Sequence, residues 1–155
     1  MYKIAFIIIL LTCSFTLQVD KLWKTIPIKQ KHSTVKVDDF GNSYVISKNE
    51  ILKYNVNGDL IKSFSTKRYG NIDFVDVTNP LKILVYYKDF QQVLFLDNQL
   101  TASSNMISLE NLSLEQTSLV CTSVNNSFWL YDKQNNELQR YSEKSQQLVK
   151  IDNLK

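Results

Sequence analysis

Tyr44-Val45-Ile46, Ile83-Leu84-Val85-Tyr86-Tyr87, Val93-Leu94-Phe95-Leu96, Leu119-Val120 and Phe128-Trp129-Leu130-Tyr131 are short runs rich in β-branched and aromatic residues, each bounded by Asn, Asp, Ser, Gly or Lys. Short apolar runs closed by turn formers read as strands. After Val19 no segment places apolar residues convincingly at helical spacing. The best helical candidate, Ser108 to Gln116, is short and fits a 3.6-residue period loosely through Leu109, Leu112 and Leu114. Asn57-Gly58, between Ile51-Leu52-Lys53-Tyr54 and Leu60-Ile61-Lys62-Ser63-Phe64, predicts a hairpin with a type I′ turn, because both central residues of that turn need a positive φ. The chain is therefore all-β.

Several runs are apolar at consecutive positions, which means strands covered on both faces. In an antiparallel protein, propeller blades packed against neighbouring blades provide that covering. Internal repetition points the same way. Asp38 to Phe64, Asn79 to Leu100 and Asn125 to Ile151 align, and superposing Tyr54, Phe95 and Tyr141 gives steps of 41 and 46 residues. Both steps suit a four-stranded blade of roughly 40 to 50 residues. Twelve strands follow. Blade one takes Thr34–Val37, Ser43–Ser47, Glu50–Asn55 and Asp59–Ser65. Blade two takes Ile72–Val77, Lys82–Tyr87, Gln91–Asp97 and about Thr101–Leu109. Blade three takes Thr117–Cys121, Ser127–Asp132, Glu137–Ser142 and Gln146–Ile151. The fold class expected is an incomplete β-propeller of antiparallel four-stranded blades, with a β-sandwich as the alternative.

Asp38-Asp39-Phe40-Gly41-Asn42-Ser43-Tyr44-Val45, the following Ile51 to Ile61, and Phe128 to Tyr141 resemble blade motifs of secreted bacterial six-bladed propellers of the NHL-like kind. In that style Asp-x-x-Gly-Asn precedes an aromatic strand, and the next strand ends in Lys/Arg-Tyr. The match is good in blades one and three and poor in blade two, where Asn79-Pro80 replaces the Gly-Asn turn. The resemblance implies the blade architecture. It does not select among the binding scaffolds, sensors and hydrolases built on such propellers.

The N-terminus carries a different signal. Met1-Tyr2-Lys3 is a short positive region, Ile4 to Leu11 is unbroken apolar sequence, and Thr12 to Thr16 is smaller and more polar. That order is a secretory signal peptide, assigned to residues 1–18 and followed by a single domain over 19–155. Ile4 to Leu17 is too short to span a bilayer, which takes about 20 residues. Leu10-Leu11-Thr12-Cys13 resembles a lipobox, with Thr12 where that motif has Gly, Ala or Ser. The membrane is a partner only if Cys13 is lipidated. The expected location is the periplasm, the cell envelope or the medium.

Little recognisable chemistry is present. The net charge of +3 carries no basic cluster, so no nucleic-acid partner is expected. His32 is the single histidine and lies in a polar lead-in; a Ser-His-Asp or Cys-His mechanism would depend on it alone. Processing after Cys13 would leave Cys121 as one thiol, too few for an internal disulfide, and one His with one Cys falls short of the usual zinc set. Gly41, Gly58 and Gly70 are isolated and form no phosphate loop. Asp38-Asp39 with Asn42, and Asp73 with Asp76, offer oxygen ligands for calcium, but such residues more often build turns. No cofactor, metal site or catalytic residue is assigned.

Most of the aromatic residues fall in the repeated strands, where packing accounts for them. Tyr69 and Phe90 fall outside the apolar runs and are the candidate contact residues. The expected function is a non-catalytic exported propeller that binds a protein or glycan. The alternative is a propeller-type envelope hydrolase, lactonase-like, with a divalent cation. Three blades leave the outward faces of the first and last uncovered, which predicts either a homodimer completing a six-bladed ring or a truncated propeller.

Overall fold

The runs fold as twelve strands: β1 (Thr34–Val37), β2 (Ser43–Ser47), β3 (Glu50–Tyr54), β4 (Leu60–Ser65), β5 (Phe74–Asp76), β6 (Ile83–Tyr87), β7 (Gln92–Leu96), β8 (Ile107–Ser108), β9 (Thr117–Ser123), β10 (Ser127–Asp132), β11 (Glu137–Ser142) and β12 (Gln147–Ile151). They belong to a computed structural model that describes residues 34–151 together with Thr25, Pro27 and Ile28. The leader assigned to residues 1–18, Cys13, Trp23 and His32 lie outside the described residues. Each set of four consecutive strands forms its own antiparallel meander, giving three separate four-stranded sheets in chain order. This is an incomplete β-propeller, and three sheets exclude the two-sheet sandwich.

Two apolar layers hold the blades together. Tyr44, Ile46 and Ile51 of blade one pack with Val75, Val77, Ile83, Val85, Tyr87, Leu94 and Leu96 of blade two. The opposite face of blade two offers Leu84, Tyr86, Val93 and Phe95 to Val120, Phe128, Leu130 and Tyr141 of blade three. Successive strand residues point to opposite faces, so a middle blade buries both parities. All five residues of β6 are buried, which explains the unbroken run Ile83 to Tyr87.

The repeat register differs from the one expected. Phe95 faces blade three and Tyr141 faces back to blade two, while Tyr54 pairs with Ser43 on the side of blade one away from blade two. At one equivalent position of the third strands, the residues facing towards the next blade are Lys53, Phe95 and Arg140, 42 and 45 residues apart, paired with Tyr44, Leu84 and Trp129. A one-residue slip moves a side chain to the other face of a sheet, and aligning on aromatic identity hid it.

Turn chemistry also differs. The hairpin at Asn57-Gly58 forms, but only Gly58 has a positive φ there, +74°. Asn55 N–H donates to the Asp59 carbonyl, Gly58 N–H to the Asn55 carbonyl, and the Asn55 side-chain oxygen accepts from Asn57 and Asp59 N–H. This is a three-residue loop with glycine at the left-handed bulge position. Asp38 to Asn42 and Asp97 to Thr101 repeat the same bonds. Both-positive φ occurs instead at Asn125 (58°) and Asn126 (53°), between β9 and β10.

The outer strand of blade two is shorter than the expected Thr101–Leu109. Thr101 closes the preceding turn, Ala102 makes one isolated bridge to Leu96, and both N–H and hydroxyl of Ser103 donate to the Phe95 carbonyl. Only Ile107–Ser108 then pairs with β7. The loose helical candidate, Ser108 to Gln116, is one 3-10 turn at Glu110–Leu112, flanked by Leu109 and Leu114, which are buried between blades two and three.

Candidate functional site

The loops that carry Tyr69 and Phe90 meet at Gly70, against which the Phe90 ring lies. Tyr69-Gly70 lies between β4 and β5, and Phe90 ends the 3-10 turn Lys88–Phe90 between β6 and β7. Gly70 has φ +75°, and a Cβ there would lie 2.9 Å from the Phe90 ring. Glycine therefore supplies both the backbone conformation and the seat for the ring. Phe90 remains 49% exposed. Tyr69 is half-buried: its ring centroid lies 5.5 Å from that of Tyr87, and the Arg68 guanidinium lies 5.5 Å from the Tyr69 ring. The arrangement is an aromatic step with a cation at its edge, backed by the blade one–blade two core.

Sequence reasoning passed over Gln91, the residue after Phe90. It is buried with φ +47°. Its side chain accepts from Thr117 N–H at 2.9 Å and donates to the Tyr86 hydroxyl at 2.9 Å and the Lys88 carbonyl at 3.0 Å. Tyr86 donates in turn to the Thr117 carbonyl at 2.7 Å. Burial pushes the Tyr86 phenol up to about 12, so it stays a neutral donor. This network fixes the start of β9 against blade two beneath the Phe90 turn. A glutamine beside an aromatic turn gives no sequence signal for such a role.

Two of the four carboxylates considered for calcium, Asp38 and Asp76, are engaged within the fold. Asp38 accepts from Phe40 N–H, Asn42 N–H, the Asn42 amide and the Tyr44 hydroxyl, at 2.9 to 3.2 Å. Asp76 accepts from the N–H and hydroxyl of Thr78 and from those of Thr122, the latter two across the boundary to blade three. Burial raises each carboxyl, but these hydrogen bonds outweigh it and hold both below the ordinary value. Among the described residues no three His, Cys, Asp or Glu side chains gather as a metal site. Cys121 is exposed on β9, and burial with the Asp76 charge pushes its thiol up, away from the reactive thiolate.

A groove of about 340 Å³ runs beside β9, walled by Phe74 and Tyr86 of blade two and by Leu119, Cys121, Trp129 and Tyr131 of blade three. Its walls are mainly apolar. It joins the blade two–blade three boundary to the open face of blade three.

No known family model matches the sequence, and no curated protein matches it. Solved structures share the fold. The chain is similar to virginiamycin B lyase from Staphylococcus aureus (TM-score 0.60, 9% identity), with 84% of this chain covering 44% of that one. It is similar to a streptogramin B lyase (0.59, 11% identity, 83% and 44%) and to the dihydro-heme d1 dehydrogenase NirN (0.55, 17% identity, 77% and 28%). These neighbours are β-propellers, and the chain spans less than half the length of each. At such identities the likeness carries the fold alone.

Proposed function

We propose that this chain is a non-catalytic, exported propeller scaffold that binds a protein or glycan partner through the Tyr69–Phe90 step. The observation that carries this reading is the Phe90 ring, half exposed yet seated on Gly70. An aromatic held in one orientation presents contact area at little entropic cost on binding, and rings of this kind stack on sugar faces or enter protein pockets. Export rests on the order of the regions in Met1 to Thr16. Similarity to a lyase leaves catalysis an open alternative, in the form of a cation-dependent hydrolase. The engagement of Asp38 by its own loop and of Asp76 by Thr78 and by Thr122 of blade three favours the scaffold.

One experiment separates the two. Thermal unfolding is followed with and without millimolar calcium, and binding to a panel of oligosaccharides and envelope proteins is compared between the native protein and Phe90→Ala. A cation held only by the folded state raises the melting temperature. The scaffold reading expects no calcium shift and binding that Phe90→Ala weakens at least tenfold. A shift of several degrees with calcium, or binding indifferent to Phe90, overturns it.

A further inference from the structure

Among the described residues, blade one and blade three each present one face that no other blade covers. On blade one it carries Val35, Val37, Val45, Leu52, Tyr54 and Ile61; Val45 at its centre is buried, Leu52 and Tyr54 are half-buried, and Val37 is 61% exposed. On blade three it carries Leu119, Cys121, Trp129, Tyr131, Leu138 and Val149, with Leu119 69% and Val149 59% exposed. The two faces have opposite sense. One is the side a blade turns to its predecessor, and the other is the side it turns to its successor. We propose that a second copy of this chain covers both, so that blade three of each copy packs on blade one of the other and two arcs close into one six-bladed ring.

The internal blade boundary supplies the template. In blade one the cross-strand pair Tyr44–Lys53 faces blade two, with the ammonium 5.2 Å from the ring centroid and Nζ donating to the Asn98 carbonyl of blade two at 3.0 Å. Both residues are buried by that contact. In blade three Trp129–Arg140 occupies the same cross-strand register with the same cation-over-ring arrangement, 5.9 Å apart. It lies half exposed on the open face. Arg140 turns back instead to the Val124 carbonyl at 3.0 Å, and its buried Nε has no hydrogen-bond partner.

The acceptor also recurs. Asn98 lies second in the turn Asp97 to Thr101, and blade one builds Asn55 to Asp59 with the same hydrogen bonds. Val56 holds the Asn98 position, so its carbonyl in the second copy is the counterpart that Arg140 would reach. Two arcs of three four-stranded sheets make six blades, within the roughly four to eight of closed propellers. Blade three on blade one is a heterologous contact, and it closes with two copies when each arc turns through half a circle.

The test uses the purified protein at about 2 to 50 µM, with mass by light scattering and thiol labelling followed on the Cys121 peptide. The expected result is twice the chain mass and a Cys121 labelling rate at least tenfold below that of the dissociated variants. Val149→Asp and Leu119→Asp, both at exposed positions, should halve the mass and restore labelling while keeping the circular dichroism of the native fold. Leu81→Asp, at an exposed apolar residue in the loop before β6, should change neither readout. A cooperatively melting monomer with freely labelled Cys121 overturns the proposal. So does a mass above twice the chain, or equal dissociation by Leu81→Asp.

Discussion

Tyr86 and Tyr87 are adjacent on β6, both fully buried, and point to opposite blade boundaries. Removing the hydroxyl by Tyr→Phe leaves ring packing almost unchanged, so the two substitutions isolate the polar atom. The Tyr86 hydroxyl donates to the Thr117 carbonyl and accepts from the Gln91 amide. Its loss removes both bonds, although the Gln91 amide keeps the Lys88 and Thr117 carbonyls at 3.0 and 3.3 Å. With about 1 kcal/mol net for a buried hydrogen bond and that fallback, Tyr86→Phe should cost about 1 to 1.5 kcal/mol. The Tyr87 hydroxyl is buried with no hydrogen-bond partner. An unpaired buried hydroxyl costs about 1 to 3 kcal/mol relative to water, so Tyr87→Phe should be stabilising by about 1 kcal/mol.

Neighbouring, chemically identical changes thus differ in sign and by roughly 2 kcal/mol. Urea melts at one fixed protein concentration, with slopes checked for equality, would read the difference. A calorimetric scan should separate the two variants by several degrees. Equal losses from both variants would refute the assignment of the Gln91–Tyr86–Thr117 network as the polar tie between blades two and three. A loss above about 1 kcal/mol from Tyr87→Phe would mean that its hydroxyl does have a partner in the folded protein.

Gly58→Val should cost more than about 1 kcal/mol in the same melts, because a β-branched residue is forced to positive φ at the bulge position; an unchanged urea midpoint would contradict that turn. Asp38 and Asp76 have folded pKa values below the ordinary carboxylate value of 3.8. Their contribution is fully present above the unfolded value and is lost as pH falls through the lowered folded values. The urea midpoint should therefore fall as pH drops below about 4, and less so in Asp76→Asn; a midpoint constant down to pH 2.5 would contradict the carboxylate bonds.

The strands were legible because blade packing writes itself into the sequence. A middle blade must be apolar on both faces, and Ile83 to Tyr87 with Val93 to Leu96 can satisfy that demand only as buried strands. Boundaries followed where a turn former fixed them, as Asn42 before β2 and Asp132 at the end of β10 do. The register was less legible. Tyr54, Phe95 and Tyr141 look alike as residues, but the equivalence between blades lies in the face each side chain occupies. Lys53 and Arg140 hold the same position as Phe95, each with its cationic head over the aromatic ring paired with it. A substitution between cation and aromatic is invisible to matching by residue type.

The turn at Asn57-Gly58 shows the same limit at shorter range. The dipeptide favours positive φ at both residues, yet Asn55 two residues earlier captures Asn57 N–H and Asp59 N–H with its side chain and fixes a longer loop. The local preference of two residues yields to an Asx bond formed by a third. Leu100 shows how far this goes, taking φ +59° at the position Gly58 holds in the matching loop. Its side chain is buried in the blade one–blade two core, so apolar burial offsets the left-handed backbone. The candidate site depends on such compensations. Phe90 and Tyr69 could be singled out from sequence as aromatics outside strands, but the seating of Phe90 rests on Gly70 and on the buried amide of Gln91, whose partners lie 5 and 26 residues away.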